Sequence, residues 1–117
     1  MPGAQTLLHI MLHHFNAGRI SLERLVDLLC FSPAKIYNIA SKGKIEIGYD
    51  GDFTIVDLNA KRTISKDWLS SKCGWSPFEG VEVVGWPMGT IIRGNIVMQE
   101  DELINNPLGK PLRFSDI

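Results

Sequence analysis

The sequence has few cysteines and no long hydrophobic run. Cys30 and Cys73 are its two cysteines, far apart and without the spacing of a metal site, so we expect reduced thiols in a cytoplasmic protein. No apolar stretch approaches the ~18 residues that a bilayer-spanning helix needs. The N-terminus has no basic stretch followed by an apolar one, which argues against a secretory signal. We therefore expect no membrane partner.

An excess of either charge is also missing. The 12 Lys and Arg residues and 13 Asp and Glu residues give a formal net charge of -1, and the basic residues are scattered. Proteins that bind nucleic acid through its phosphates cluster their positive charge, so no nucleic-acid partner is expected. With 44% hydrophobic and 21% charged side chains, the 117 residues have the composition of a folded domain.

Common catalytic motifs are absent as well. The sequence has no phosphate-binding glycine loop and no Gly-x-Ser-x-Gly elbow. His9 and His13 are four positions apart, which on a helix would place both on one face, as in some zinc sites. Ile10 stands where such catalytic sites carry a glutamate, and His14 is the one remaining histidine. We interpret these histidines as polar residues that flank an apolar stripe.

The stretch SKCGWSPFEG, residues 71–80, places a thiol in a turn-like segment. The neighbouring Lys72 can lower the pKa of Cys73. A cysteine nucleophile also needs a base, and no histidine lies nearby in the sequence. We therefore predict that Cys73 is a packing residue or a bystander.

The same stretch contains two large aromatic residues. We predict that Trp75 and Phe78 bury their rings, because each can remove roughly 150–250 Å² from water. Pro77 and Gly80 are predicted to shape the turn, and Glu79 to accept backbone N–H bonds within it. The segment then acts as an anchor and not as an active site.

Helix-like periodicity dominates the first 40 residues. Apolar residues recur at intervals of three and four between Leu7 and Phe15, and Gly18 predicts the end of this helix. Ser21 is predicted to cap a second helix over residues 22–30. A third, short helix is predicted to begin at SPAKI, with Ser32 as its cap and the proline at its first position.

The later sequence has the character of strands separated by turns. Its strand-like stretches are DFTIVDL (52–58), KRTI (61–64), VEVVGW (81–86) and TIIRGNIVMQ (90–99). Gly94 and Asn95 predict a hairpin turn in the last of these, and Ser65 predicts the start of a helical turn. The tail NNPLGKPLRF (105–114) is predicted to run extended. Helices followed by strands predict an α+β fold.

Several of these stretches resemble one family. SPAKIYNIASKGKIEIGYDGDFTIVDL resembles the passage where cyclic amidohydrolases leave the last barrel helix and enter a small β-sandwich. SKCGWSPFEGVEVVGWPMGTIIRGNIV and GKPLRF are similar to the C-terminal sequence of dihydroorotases, and more loosely to that of hydantoinases and allantoinases. On these motifs the chain is identified as resembling the C-terminal portion of a dihydroorotase.

The resemblance implies a fold and an activity. Residues 1–43 would supply the closing helices of a (β/α)₈ amidohydrolase barrel, and residues 44–117 a β-sandwich segment with an extended tail. The parent enzyme would be a zinc-dependent hydrolase that reversibly cyclises N-carbamoyl-L-aspartate to L-dihydroorotate in pyrimidine biosynthesis. A complete barrel takes about 250 residues, so this chain alone is expected to be inactive.

The resemblance also defines what can be assigned to the site. The family holds zinc with a His-x-His pair, a carboxylated lysine, two further histidines and an aspartate, and this sequence has no His-x-His. We therefore assign no metal ligand and no catalytic residue, and expect this chain to bind no zinc. A Pro-Gly dipeptide that lies against the substrate ring in the family matches Pro2 and Gly3. The alternative is a disordered N-terminus without function.

Two other functions stay open at this point. The chain could be a non-catalytic, truncated paralogue that serves as a binding or assembly module, or part of a hydantoinase- or allantoinase-like enzyme. A small-molecule substrate is expected only in the context of the full barrel. Unpaired strand edges and uncovered apolar stripes predict self-association or a companion chain.

Overall fold

A computed structural model describes residues 1–104 and 107–115. Within them, helical segments come first and an antiparallel sheet of four strands comes after them, which confirms the α+β fold. The helices are α1 (Leu7–Asn16), α2 (Leu22–Val26) and α3 (Ser32–Ile36), and a π-helical turn, Asp27–Phe31, joins α2 to α3. None of the described helices has the length and apolar character to cross a membrane.

The first helix ends where the sequence predicts. Gly18 has a φ of +76°, a conformation that glycine adopts without a Cβ penalty. Ser21 then caps α2, because its hydroxyl accepts the Arg24 N–H at 3.1 Å. Both of these predictions are confirmed.

The predicted third helix is not separate from the second. Ser32 has helical dihedrals, φ −63° and ψ −45°, so the prediction that it caps a new helix is wrong; its hydroxyl donates to Asp27 at 2.9 Å instead. Pro33 therefore lies inside a continuous helical stretch. Proline lacks an N–H and its ring crowds the carbonyl four residues earlier. The π-helical turn widens the backbone just before it, which accommodates that ring.

The sheet contains fewer and longer strands than the sequence predicts. The segments 52–58 and 61–64 form one strand, β1 (Phe53–Thr63), with a pairing irregularity between Asp57 and Lys61. Strand β2 (Glu82–Ile92) continues through the Pro-Met-Gly segment, residues 87–89, that separates two predicted strands. The remaining strands are β3 (Asn95–Gln99) and β4 (Glu102–Leu103), and the sheet order is β1-β2-β3-β4.

The β2–β3 hairpin turns one residue earlier than predicted. Its central residues are Arg93 and Gly94, with φ of +46° and +78°, between the paired residues Ile92 and Asn95. Two positive φ values are the signature of a type I′ turn. The Arg93 N–H donates to Asp52 at 2.9 Å. This hydrogen bond to a residue distant in sequence stabilises the positive φ of Arg93, at a turn position where glycine or asparagine is usual.

Helix α1 packs along β2 where β3 does not reach, since β3 pairs with residues 89–92. The His13 Nδ1 accepts the Val84 N–H at 3.2 Å, and the Asn16 amide donates to the Val84 carbonyl at 2.9 Å. Val84 pairs with Lys61 of β1 on one side, and side chains of the helix satisfy its backbone groups on the side where no strand adjoins it. Beneath this contact lies the core, in which Ile64, Val83 and Trp86 are fully buried.

The C-terminal tail lies against the segment after α3. Ile39 and Phe114 form an isolated antiparallel bridge, and the Ala40 N–H donates to the Arg113 carbonyl at 2.8 Å. The extended tail predicted from the sequence is thus attached at its end. Residues 105 and 106, where the predicted tail begins, lie outside the described residues.

Candidate functional site

The two predicted substrate-binding residues border an open cavity of about 290 Å³. Pro2 and Gly3 form one side, and the segment after the 3₁₀ turn Lys66–Trp68 forms the other. A Cβ built on Gly3 would meet no heavy atom within 4 Å, so open space adjoins its backbone. The remaining lining residues are small or polar, with one leucine: Ala4, Gln5, Thr6, Leu69, Ser70, Ser71 and Ser76.

Two short-range bonds hold the Gly3 carbonyl. It accepts the Leu7 N–H at 3.1 Å and the Thr6 hydroxyl at 3.3 Å, and Thr6 itself is buried. The Pro2–Gly3 segment therefore continues directly into the first turn of α1. Its position depends on where α1 sits, which the sequence does not reveal.

The Gln5 carboxamide spans the gap between this turn and the opposite wall. Its nitrogen donates to the Trp68 carbonyl and its oxygen accepts the Ser70 N–H, both at 2.9 Å. Sequence reasoning missed Gln5, because a lone glutamine before a helix carries no signal that identifies partners more than 60 residues away.

A partly buried cluster of His9, Arg62, Trp68, Trp86 and Asp101 continues from this wall into the core. The His9 ring packs edge-on against both indoles, with centroids 4.7 Å from Trp68 and 4.3 Å from Trp86. The Asp101 carboxylate accepts both indole N–H groups, at 3.3 Å from Trp68 and 2.9 Å from Trp86, and binds Arg62 at 2.8 Å. We call this set the tryptophan–aspartate cluster.

The β3–β4 turn presents the carboxylate of this cluster. Glu100 and Asp101 both have positive φ, +48° and +65°, and the Glu100 N–H donates to the Met88 carbonyl at 2.9 Å. Positive φ is uncommon outside glycine, so tertiary contacts hold this turn. The sequence analysis predicts no turn here and does not reveal that the carboxylate meets two tryptophans.

His9 corrects the interpretation of the histidines as polar residues beside an apolar stripe. It is only 7% exposed, and its Nδ1 makes no hydrogen bond of good geometry with the described residues, although the Gln5 backbone lies near the ring. Burial lowers the pKa of His9 below its ordinary value, and this outweighs the opposite influence of the Asp101 carboxylate and the Gln5 backbone. The neutral imidazole is therefore the form that the fold favours.

We expect the free energy of unfolding to fall as the pH is lowered from about 7 to about 5. Because the pKa of folded His9 lies below the ordinary 6.5 of the unfolded chain, the unfolded chain takes up this proton at a higher pH than the folded chain does. The stabilisation is complete above pH 6.5 and is lost as the pH falls below it. Urea denaturation followed by circular dichroism at both pH values measures the difference.

Two variants identify the group responsible. His9→Phe keeps an aromatic ring between the indoles and should reduce the pH dependence. His14→Gln should retain it, because His9 and both indoles stay in place. An equal pH dependence in His9→Phe and the unchanged protein would assign the effect to another group.

The histidines do not form a metal site. His13 uses its Nδ1 to accept the Val84 N–H, and the His14 ring bonds Arg19 at 2.9 Å. Among the described residues, no group of three or more His, Cys, Asp and Glu side chains could hold a metal ion. The described side chains therefore do not fit a zinc site.

The 71–80 turn differs from its prediction in two respects. Phe78 packs against the core as predicted, but Trp75 is 47% exposed, because no described part of the chain covers its ring. Ser76 takes the role predicted for Glu79, since its hydroxyl accepts the Phe78 N–H at 3.1 Å. Gly80 has a φ of +84°, as a turn glycine should.

Cys73 lies on the surface of this turn. Its sulfur is 3.2 Å from the Ser71 hydroxyl, and this hydrogen bond lowers the pKa of the Cys73 thiol. Its other polar contact is the Trp75 carbonyl, at 3.7 Å. Neither neighbour is a general base, so the arrangement lacks the partner that a cysteine nucleophile needs.

Most of the sequence around this cavity matches the model of a known family. The model of the amidohydrolase family aligns with residues 4–97. The chain belongs to the amidohydrolase family. The aligned part of this amidohydrolase chain begins beside the Pro2–Gly3 segment and takes in α1, β1 and β2.

Within the amidohydrolase family, the chain is similar to dihydroorotases and to an L-hydantoinase. The chain is 44% identical over 110 residues to a dihydroorotase from Pyrococcus furiosus, covering 94% of this chain and 26% of the relative. It is 38% identical over 104 residues to an L-hydantoinase from Paenarthrobacter aurescens, covering 87% of this chain and 23% of the relative. The resemblance to dihydroorotases inferred from the sequence is thereby confirmed, and hydantoinases are close to it.

Solved structures agree with this assignment. The L-hydantoinase (dihydropyrimidinase) from Arthrobacter aurescens superposes with a TM-score of 0.82 at 38% identity, over 88% of this chain and 23% of that one. The chain thus spans about a quarter of the length of the relatives it matches.

Proposed function

We propose that this chain is the C-terminal part of a dihydroorotase-like zinc amidohydrolase of the cytoplasm. The whole enzyme would interconvert N-carbamoyl-L-aspartate and L-dihydroorotate in pyrimidine biosynthesis. The observation that carries the proposal is the 44% identity over 110 residues to a dihydroorotase of which the chain spans 26%. Residues 1–43 would be the closing helices of the barrel, and residues 44–117 part of the sandwich.

Exposed apolar side chains support the view that further polypeptide covers this chain. Large hydrophobic residues are exposed along the helices and in the loop before β1, and contiguous patches of this kind mark contact surfaces. Covering them would be the role of the remaining barrel, a companion chain or a second copy. The residues are Val26, Leu28, Phe31, Ile36, Tyr37, Ile45, Ile47 and Tyr49.

Zinc would be held by residues outside this chain. His13 and His14 make other hydrogen bonds, the His9 ring is packed between two indoles, and no described cluster supplies a donor set. We therefore derive no reaction step through a metal for these residues, and we expect the chain alone to be inactive. Its own contribution would be to form one side of the substrate pocket.

Pro2 and Gly3 are the proposed substrate contacts. They border the cavity, and the space beside the Gly3 backbone is open, so a planar ring could approach the peptide plane closely. Active sites of (β/α)₈ barrels lie on loops that connect each strand to its helix. A loop that leads into a closing helix is in the correct place for this role.

A hydantoinase is the second candidate function. The 38% identity to an L-hydantoinase and the TM-score of 0.82 to a solved one favour it specifically. Both reactions open or close a cyclic amide, so the distinction depends on residues that recognise the ring substituent. A non-catalytic paralogue that assembles with a partner is the third candidate.

Turnover by the complete gene product that contains this chain tests the proposal. With zinc supplied, we expect it to convert L-dihydroorotate faster than hydantoin or allantoin, whereas the isolated 117 residues convert none of them. Faster turnover of hydantoin or allantoin would establish the second candidate. A gene product that ends at these residues and is inactive would favour the paralogue, and size-exclusion chromatography would then show whether it self-associates.

A further inference from the structure

We propose that Gln5 is a positioning residue, which holds the Pro2–Gly3 segment at a fixed distance from the opposite wall of the cavity. The inference rests on the proposed function, in which this segment contacts the substrate. Gln5 itself need not touch the substrate. Its role comes from the bonds that it makes across the gap.

The carboxamide of Gln5 is matched to its two partners. One end donates to the Trp68 carbonyl and the other accepts the Ser70 N–H, both at 2.9 Å. A glutamine amide offers a donor and an acceptor in one plane at this length without any change of protonation. Both partners are backbone groups, so the bonds fix the main chain of the opposite wall and not a mobile side chain.

Helix α1 holds the same segment at a second point. His9 lies one helical turn after Gln5, on the same face, and its ring packs 4.7 Å from the Trp68 ring. The Trp68 carbonyl and the Trp68 ring are therefore both bound by α1 and the turn that leads into it. Sliding of the helix along the 66–70 segment would have to break both contacts together.

These contacts determine the width of the cavity. The Gly3 carbonyl is tied to α1 through the Leu7 N–H, and Ser70 is tied to Gln5. Gly3 and Ser70 both line the cavity. Without the Gln5 amide, the first turn of α1 could move away from Ser70. Substrate binding would then have to order the Pro2–Gly3 segment, and the cost of this ordering would weaken the binding.

Graded variants in the complete enzyme test this role. Gln5→Glu keeps an acceptor for the Ser70 N–H but loses the donor to the Trp68 carbonyl, whereas Gln5→Met has similar length and loses both. We expect KM for L-dihydroorotate to rise about tenfold in Gln5→Met and less in Gln5→Glu, as the loss of two bonds and of one bond implies. The melting temperature should change little.

Amide hydrogen exchange provides a readout that does not depend on activity. Exchange at the Ser70 N–H should accelerate in Gln5→Met and stay nearly unchanged in Gln5→Glu. The control is Gln99→Glu, which makes the same chemical change at an exposed position of β3 and should alter neither KM nor this exchange.

The outcomes separate this inference from the proposed function. Faster Ser70 exchange with unchanged KM would overturn the positioning role and leave a purely structural contact. Absence of dihydroorotate turnover in the unmodified enzyme would instead refute the proposed function. In that case, an unchanged exchange rate of the Ser70 amide in Gln5→Met would also overturn the inference. A faster exchange rate would still show that Gln5 fixes the position of the cavity wall.

Discussion

Replacing Trp86 with alanine is expected to lower the free energy of unfolding by about 4 kcal/mol, within the range for a buried tryptophan. Trp86 is 2% exposed and lies at the centre of the core with Ile64 and Val83. Its removal leaves a cavity that the long strand β2 cannot close without moving its pairing with β1. Urea denaturation followed by far-UV circular dichroism measures the loss.

The polar end of Trp86 adds to this loss. Its indole N–H donates to both Asp101 oxygens, at 2.9 and 3.1 Å, and the Arg62 guanidinium lies 5.6 Å from the ring centroid. Trp86→Phe keeps much of the apolar packing and removes the donor, so its cost should be smaller than that of Trp86→Ala. The Asp101 carboxylate would still bind Arg62.

Trp75 is the matched control for this prediction. Its ring is 47% exposed, so Trp75→Ala should cost less than about 1 kcal/mol in the isolated chain. Similar losses of unfolding free energy in Trp75→Ala and Trp86→Ala would contradict the placement of Trp86 in the core and of Trp75 on the surface. They would indicate that the 71–80 turn is buried in solution.

Gly85→Ala is expected to cost about 3 kcal/mol or more, because backbone strain and a steric clash combine. Gly85 has a φ of +104°, and an added Cβ would lie 2.8 Å from the Leu12 Cβ and 3.2 Å from the Asn16 amide nitrogen. The closest clash is with the Cβ of Leu12. Alanine at position 12 would still have that atom, so Leu12→Ala cannot relieve the clash. Helix α1 would have to move away from β2. Thermal unfolding and urea denaturation both report the loss.

Gly89 lies in the same strand and provides the control. Its φ is not in the positive range, and an added Cβ would meet Ile55 at an ordinary 3.7 Å. Gly89→Ala should therefore change the free energy of unfolding by no more than about 1 kcal/mol. An equal loss of unfolding free energy in Gly85→Ala and Gly89→Ala would show that α1 does not approach β2 closely at Gly85.

Local sequence determined the elements whose partners lie within a few residues. The apolar spacing from Leu7 to Phe15, the cap at Ser21 and the glycine at position 18 each act over one or two helical turns. Their predictions are confirmed for that reason. The C-terminal motifs, such as SKCGWSPFEG and GKPLRF, also identified the family. Such motifs can be recognised in the sequence without knowing which residues are in contact.

Tertiary contacts decided the features that local preference leaves open. Ser32 is a good helix cap in isolation, yet it continues a helix: the π-helical turn before it accommodates the following proline, and neither this turn nor the Ser32–Asp27 bond is signalled by single-residue preferences. Arg93 adopts a positive φ because Asp52, distant in sequence, accepts its N–H. In both places a single-residue preference of about 1 kcal/mol was outweighed, at Ser32 by the preceding turn and at Arg93 by a hydrogen bond to a distant residue.

The candidate site shows the same division. Pro2 and Gly3 could be proposed from a resemblance of sequence, because the dipeptide is a local motif. The roles of Gln5, His9 and Asp101 depend on partners that only the folded chain brings near: Trp68 for Gln5, two indoles for His9 and two indoles for Asp101. The sequence by itself determined the family and the order of helices and strands. The tertiary structure decided which polar groups meet one another, since hydrogen bonds and ring contacts form between residues that chain order does not relate.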